Sequence, residues 1–440
     1  MFCPKSQVRA FRPVDFRGVP ASSLCTLFSN DEGGKQSPTR TCLLAFAIIT
    51  LLVAGFALAA NAAKPADHGL SPANDVVPMQ PDKNASGTAN RPLTAPLDIS
   101  VPSPPWAFRA NDKWHLVYEL HISNIGNANC TLKQIDVLGE GSHPNVLATL
   151  SGKELDAAIV HPWVDVSTLA TLGPSSMAVV FMWVTVDRRE DVPVSLSHRI
   201  TMKVGDYSED LLTTLPPMEI NRNSVPVIGP PLRGENWGTA HGPDNNSRHR
   251  RGLLTIEGRS YIAERYAIDW LRITPSGDIH SGSGSENKDY PGYGADVLAV
   301  ADGAITEVQD GIPENAPGKA PSVSITLRTI CGNYITERVG PNLYASYCHL
   351  QPGIRVKQGS KVKRGQVLAL LGNSGSSDAP HLHFQLCNAD STLACEGVPY
   401  AFSSFTEEHR SFNSPNEAKP KQDVEHSQQI PTDETLVGFR

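Results

Sequence analysis

Gly372-Asn-Ser-Gly-Ser-Ser-Asp-Ala-Pro-His-Leu-His-Phe384 is the stretch on which the fold turns. A Gly372-Asn-Ser-Gly375 turn and Pro380 precede an extended His381-Leu382-His383-Phe384 segment. On a strand, residues two apart share a face. Both imidazoles therefore project to one side, leaving Leu382 and Phe384 for the core. Two imidazoles side by side suit a metal ligand next to an acid-base group.

Working outward from there, the chain is strand-like and punctuated by glycine from Trp237 to about Phe402. Leu253–Ile256 and Tyr261–Ala263 flank a Glu257-Gly258-Arg259 turn, which reads as a hairpin. Tyr334–Val339 and Leu343–Tyr347 flank a second one around Gly340-Pro341-Asn342. Antiparallel pairing about that turn brings Cys331 near Cys348 and makes them a natural disulfide pair. Cys387 with Cys395 is the other pair, and Cys130 is left over. None of these cysteines has the C-x-x-C spacing of a structural zinc cluster.

Upstream, residues 99–222 alternate at Trp114–Ile122, Met177–Thr185 and Ser197–Lys203, with turns such as Asn124-Ile-Gly-Asn127 between them. Short alternating strands at this spacing indicate an immunoglobulin-like β-sandwich without a catalytic cluster. Trp114, Trp163 and Trp183 read as its core. Val225–Arg233 is a Pro-rich connector, residues 234–402 form the second domain, and the polar stretch 404–440 reads as a disordered tail. The expected fold is mainly β: a β-sandwich followed by a mixed antiparallel sheet.

The N-terminal region carries a different message. Residues 42–63 hold an apolar run from Cys42 to Ala60, behind a leader (1–41) with basic residues and ahead of small residues that fit an A-x-A cleavage pattern. An export signal is the first reading and a membrane anchor through residues 42–60 the second. Residues 64–98, rich in Pro, Ala, Asn and Asp, follow as a flexible linker. A formal charge of -7 with dispersed basic residues gives no reason to expect nucleic acid as a partner. The short Arg248-His249-Arg250-Arg251 run is the exception to that dispersal.

Ala267-Ile268-Asp269, Val300-Ala-Asp-Gly303, Gly332-Asn333-Tyr334, Tyr347-Cys-His-Leu350, Val356-Lys-Gln-Gly359, Gly365-Gln366, Gly372-Asn-Ser-Gly375 and Pro380-His-Leu-His-Phe384 occur in that order. The series, from Tyr266 to about Asn388, resembles the lysostaphin-type (LytM-like) zinc metallopeptidases, which cut peptide cross-links of peptidoglycan. The resemblance implies a periplasmic or envelope location, Zn2+ as cofactor and peptidoglycan stem peptides as partners. It makes Asp269 and His383 zinc ligands, with His349 and His381 as catalytic histidines flanking the reacting water.

One departure stands out. The family places a third ligand, a His, four residues before the Asp, where this chain has Arg265. A guanidinium offers no lone pair to a metal. His249 is the replacement candidate: a hairpin about Gly258 would set it opposite Ala267 and diagonal to Asp269, about 7 Å away. His241 and His280 have less geometric support. Arg265 would then clamp a substrate carboxylate or orient Asp269. A metal-free peptidoglycan-binding module, or an activator of another wall hydrolase, is the rival reading that Arg265 motivates.

Overall fold

The computed structural model describes residues 94–140, 145–162, 166, 168–409 and 422–440. The leader, the 42–63 run, the linker up to residue 93 and Trp163 lie outside the described residues. Among the described residues no helix is long and apolar enough to cross a membrane.

The first sheet orders Leu97–Ser100, Lys113–Asn124, Met177–Val186 and Ile159–Val160, with Phe108–Ala110 paired to Lys113–Asn124. Opposite it, a second sheet is built around Cys130–Glu140 and Ser195–Val204. Period-2 alternation explains their packing. Leu116, Tyr118, Leu120 and Ile122 meet Ala178, Val180, Met182 and Val184 in one apolar core with Leu132, Ile135, Val137, Leu196, Ile200 and Met202. The linker therefore ends earlier than expected, since Leu97–Ser100 already pairs in register with His121–Asn124.

The other face of the first sheet is not left to water. Val117, with Phe108 and Ala110, joins the core of the following domain, while Val179 and Phe181 pack on Ile262. Trp183 packs against that second core and not inside the sandwich, because its odd register places it with Val179 and Phe181. Sandwich and second domain belong to one compact unit, Ala89–Arg440.

The second domain is an 11-stranded sheet. Its centre runs Leu436–Phe439, Gly234–Ala240, Ile268–Arg272, Leu382–Cys387, Leu343–Leu350, Asn333–Gly340 and Gly303–Gln309. Neighbours along this central run are antiparallel; at one edge Val227–Ile228 adds in parallel to Ala401–Glu407. The fold is mainly β, as expected.

Two expectations are corrected here. Residues 404–440 do not form a disordered tail: Ala401–Glu407, Val424–Gln429 and Leu436–Phe439 are strands of the large sheet. Phe402 and Phe439 stack edge-on against Trp270, so this terminal segment closes the core around both tryptophans, Trp237 and Trp270. The second domain thus runs past residue 402 to the C-terminal strand. As for the cysteines, Cys387 and Cys395 are bonded, with Cα atoms 5.8 Å apart. Cys331 and Cys348 are buried side by side as thiols. A bulge between Asn333 and Ile335 shifts the register at this end of the hairpin.

Candidate metal centre

Three adjacent strands supply the floor of the site. Asp269 and His383 are directly opposed across the Ile268–Arg272 and Leu382–Cys387 pair, and Cys348 is opposed to His383 on the other side. His349 follows Cys348 with a left-handed backbone (φ 64°). That conformation is uncommon for a residue with a Cβ, and it turns the imidazole out of the strand's alternation. His381 sits one residue before its strand begins.

His249 arrives by a different route from the one expected. The hairpin about Gly258 exists, with Leu254 paired to Tyr261, but it is only three residues long on each side. The sheet neighbour of Asp269 on that flank is Ala240. Residues 241–251 then leave the sheet as a compact turn that folds back over it. His249 Nε2 ends 3.4 Å from Asp269 Oδ2. The far strand of the hairpin does not deliver this imidazole; the turn after Ala240 does.

Each of the four imidazoles has one nitrogen anchored and the other aimed inward. His249 Nδ1 donates to the His241 carbonyl at 2.9 Å, His349 Nδ1 to the Ser374 carbonyl at 2.8 Å, and His381 Nδ1 to the Ala379 carbonyl at 2.8 Å. In His383 the order is reversed. Its Nε2 lies 2.8 Å from Gln385 Oε1, and its Nδ1 lies 2.9 Å from Asp269 Oδ1. Gln385 has little choice of orientation, because its amide nitrogen donates to the Thr392 carbonyl at 2.8 Å. Fixing a proton on the outer ring nitrogen in this way directs the inner one at the centre, where a bound metal would take its lone pair and, in His383, displace the second proton that Asp269 favours. His381 Nε2 lies 3.5 Å from Asp269 Oδ1, and the His349 and His381 rings are 4.6 Å apart.

The electrostatics centre on Asp269. Burial would raise its pKa, yet His249, His381 and His383 outweigh that and hold it well below the usual carboxylate range. The same pairing acts back on His383: burial lowers its pKa, but Asp269 reverses the sign and raises it to about 10. His349 feels mainly burial and its imidazole neighbours, which push its pKa well down.

One ligand atom each from His249, Asp269 and His383 falls within 4.8 Å of the others. Zinc takes imidazole nitrogen and carboxylate oxygen at about 2.0–2.2 Å, and its catalytic sites commonly use three such ligands with one open position. The donor set and its spacing fit that ion. Among the described residues this is the one cluster of its kind. His241 contributes its carbonyl to the site, while His280 packs at a tilt against Tyr290.

Arg265 does not open onto this centre. It is buried, with Nε and Nη2 donating to the two carboxylate oxygens of Glu119 at 3.0 and 2.9 Å and Nη2 also to Glu396 at 2.6 Å. With its guanidinium engaged there, neither the substrate clamp nor the orientation of Asp269 fits its position. Asn373 and Ser374, read from sequence as turn formers, are fully buried and do more than turn the chain. Ser374 Oγ ties the Leu350 carbonyl to the Asn333 amide, and its own carbonyl receives His349. A Cβ at Gly375 would collide with the backbone of Gly332, so this crossing requires glycine. Gln385 escaped the sequence reading, although it continues the 381–383–385 face of one strand.

Residues 289–394 match peptidase family M23, and the chain carries a domain of that family. The matched stretch contains His349, His381 and His383 but begins after His249 and Asp269. Over 76 residues the chain is 38% identical to the peptidoglycan DD-endopeptidase ShyA of Vibrio cholerae, covering 17% of this chain and 17% of that protein. Over 84 residues it is 34% identical to a metalloprotease of Haemophilus influenzae, covering 19% and 18%. The chain thus spans less than a fifth of the length of these relatives. Among solved structures, the catalytic domain of lysostaphin from Staphylococcus simulans aligns at 24% identity with a TM-score of 0.21, covering 37% of this chain and 88% of that one. The catalytic domain of the prophage-encoded M23 protein EnpA from Enterococcus faecalis aligns at 23% and 0.22, covering 40% and 92%.

Proposed function

We propose that this chain is a zinc-dependent endopeptidase that hydrolyses peptide cross-links of peptidoglycan in the cell envelope. The observation that carries the reading is the convergence of His249, Asp269 and His383 within 4.8 Å, with His349 and His381 beside them. The M23 domain supports a peptidase, and relatives described as peptidoglycan DD-endopeptidases support the substrate class. The apolar run at residues 42–60 supports export, as signal or as anchor.

In this reading His249 Nε2, Asp269 and His383 Nδ1 hold the ion. When bound, zinc polarises the scissile carbonyl and makes water a nucleophile near neutral pH. His349, its Nδ1 proton committed to Ser374, presents Nε2 as an acceptor for a proton of the attacking water. His381, anchored through Nδ1 to Ala379, presents Nε2 to the same space and can steady the developing oxyanion when it carries a proton there. Both side chains are held by backbone carbonyls, so neither needs to reorganise during reaction.

The rival reading, a metal-free binding module, drew its force from Arg265. That residue is engaged with Glu119, and the approach of His249, Asp269 and His383 to one another without it supports the metal-binding reading. Elemental analysis of protein purified without added metal tests the proposal directly. One zinc per chain is expected, together with loss of peptidoglycan hydrolysis on chelation and in His249→Ala, Asp269→Ala and His383→Ala. Full hydrolysis by the metal-stripped protein refutes it.

A further inference from the structure

The turn that carries His249 is fastened to the sandwich more than to the sheet it serves. At its start, the Gly242 amide donates to Asp433 within the peptidase domain. From Asn245 onward the attachments cross to the other domain. Asn245 Nδ2 donates to the Phe181 carbonyl at 3.0 Å, and Arg251 Nη2 to the Ala157 carbonyl at 2.7 Å. Arg250, the residue next to His249, is wholly buried and lies over the Phe181 ring, 4.8 Å from its centroid. Its Nη1 donates to Glu119, and its Nη2 to the Tyr118 carbonyl at 2.9 Å.

Glu119 is a carboxylate in the middle of an apolar strand, 1% exposed, and it faces outward from the sandwich. Its two oxygens are shared by Arg250 and Arg265. Glu396 pairs with Arg265 as well, so two cations and two anions balance. A buried charge with no partner is strongly disfavoured, whereas a matched set has one low-energy arrangement. Burial would raise the pKa of Glu119, but Arg250 and then Arg265 outweigh it and hold it at about 2. The carboxylate therefore stays charged across the neutral range.

We propose that Glu119 of the sandwich is a positioning residue for the metal centre, acting through Arg250 to hold the turn that presents His249. The position left without a ligand at Arg265 and the ligand gained at His249 are then two ends of one arrangement. Arg265 anchors the strand side and Arg250 the turn side, on one carboxylate from another domain. The sandwich becomes a structural part of the peptidase centre. This rests on His249 being a ligand, as proposed above.

The test uses the full chain and measures zinc affinity by competition with a chromophoric chelator, alongside the visible spectrum of the Co2+-loaded protein. Glu119→Gln is expected to weaken zinc about tenfold or more and to shift the Co2+ spectrum toward that of His249→Ala. Met202→Ala, in the far sheet of the sandwich, is the control for stability alone: it should lower Tm and leave zinc affinity unchanged. If His249→Ala binds zinc like the parent, the ligand assignment itself fails. If His249→Ala weakens binding and Glu119→Gln stays within about threefold of the parent with an unaltered Co2+ spectrum, only the positioning role is overturned. Should Glu119→Gln not fold, Arg250→Met decides, because it cuts the link between the carboxylate and the turn while Arg265 still pairs with Glu119. An unchanged zinc affinity there also overturns the proposal.

Discussion

Replacing Gln385 by Met removes the acceptor that fixes the His383 proton while keeping the side-chain length. In the native arrangement Gln385 Oε1 accepts from His383 Nε2 at 2.8 Å, and its amide nitrogen is committed to Thr392. With a thioether there, the His383 proton is free to move to Nδ1, the nitrogen that faces Asp269, and each shift removes the lone pair a metal needs. Losing such a partner to a ligating imidazole typically weakens metal binding about 10–100-fold, or about 1.4–2.8 kcal/mol. The Thr392 carbonyl also loses its donor in a buried setting, costing the fold about 1–3 kcal/mol. Zinc competition titration near neutral pH, with urea unfolding in parallel, separates the two effects. Gln385→Glu, which retains an acceptor, should recover part of the affinity. The reasoning fails if Gln385→Met binds zinc within about threefold of the parent while His383→Ala does not.

Two other perturbations test the frame around the site. Burial raises the pKa of Glu337 to about 7, despite the hydroxyl of Tyr347 donating to it at 2.5 Å. The folded state thus keeps a proton that the unfolded chain releases near 4.5. Stability from this group is full below that value and declines as pH rises through 7, by about 3 kcal/mol in all. Urea midpoints of the parent should fall relative to Glu337→Gln between pH 5 and pH 8, and parallel profiles would contradict this. Deleting residues 422–440 removes Val437 and Phe439 from the core around Trp270 and Leu436 from against Ile273, each at most 3% exposed. At about 1.5–3 kcal/mol per side chain, the loss of roughly 5–9 kcal/mol matches the whole stability of many domains. A truncated chain with native tryptophan fluorescence and an unchanged Tm would refute that accounting.

Much of this was legible in the sequence, and the failures have physical causes. Strands at Trp114–Ile122, Met177–Thr185 and the hairpin about Gly340-Pro341-Asn342 announce themselves by alternation and turn chemistry, and the structure has them. Asp269 and His383 could be placed on strands, and the structure sets them side by side. His249 is reached from the sequence by an incorrect path: the reading extends the hairpin register from Leu254, where the pairing ends, five residues further to His249. The sequence reads Arg265 as a clamp for a substrate carboxylate or an orienter of Asp269 because its partner, Glu119, lies 146 residues away in another domain. No local pattern carries such a pairing, although a glutamate inside Leu116-Val-Tyr-Glu-Leu120 is itself a signal that something charged must cover it. The terminal strands were missed for a similar reason. Val424–Gln429 is polar on its exposed face, and its partner strand is earlier in the chain.

The left-handed backbone at His349 has a practical consequence for mutagenesis. Histidine, asparagine and aspartate occupy that region more readily than other residues with a Cβ, and alanine pays about 1–2 kcal/mol there. An alanine scan would therefore mix the loss of an imidazole with a displaced chain beneath the neighbouring donors. Asparagine keeps the conformational preference while removing the ring, and it is the cleaner probe of what that side chain does.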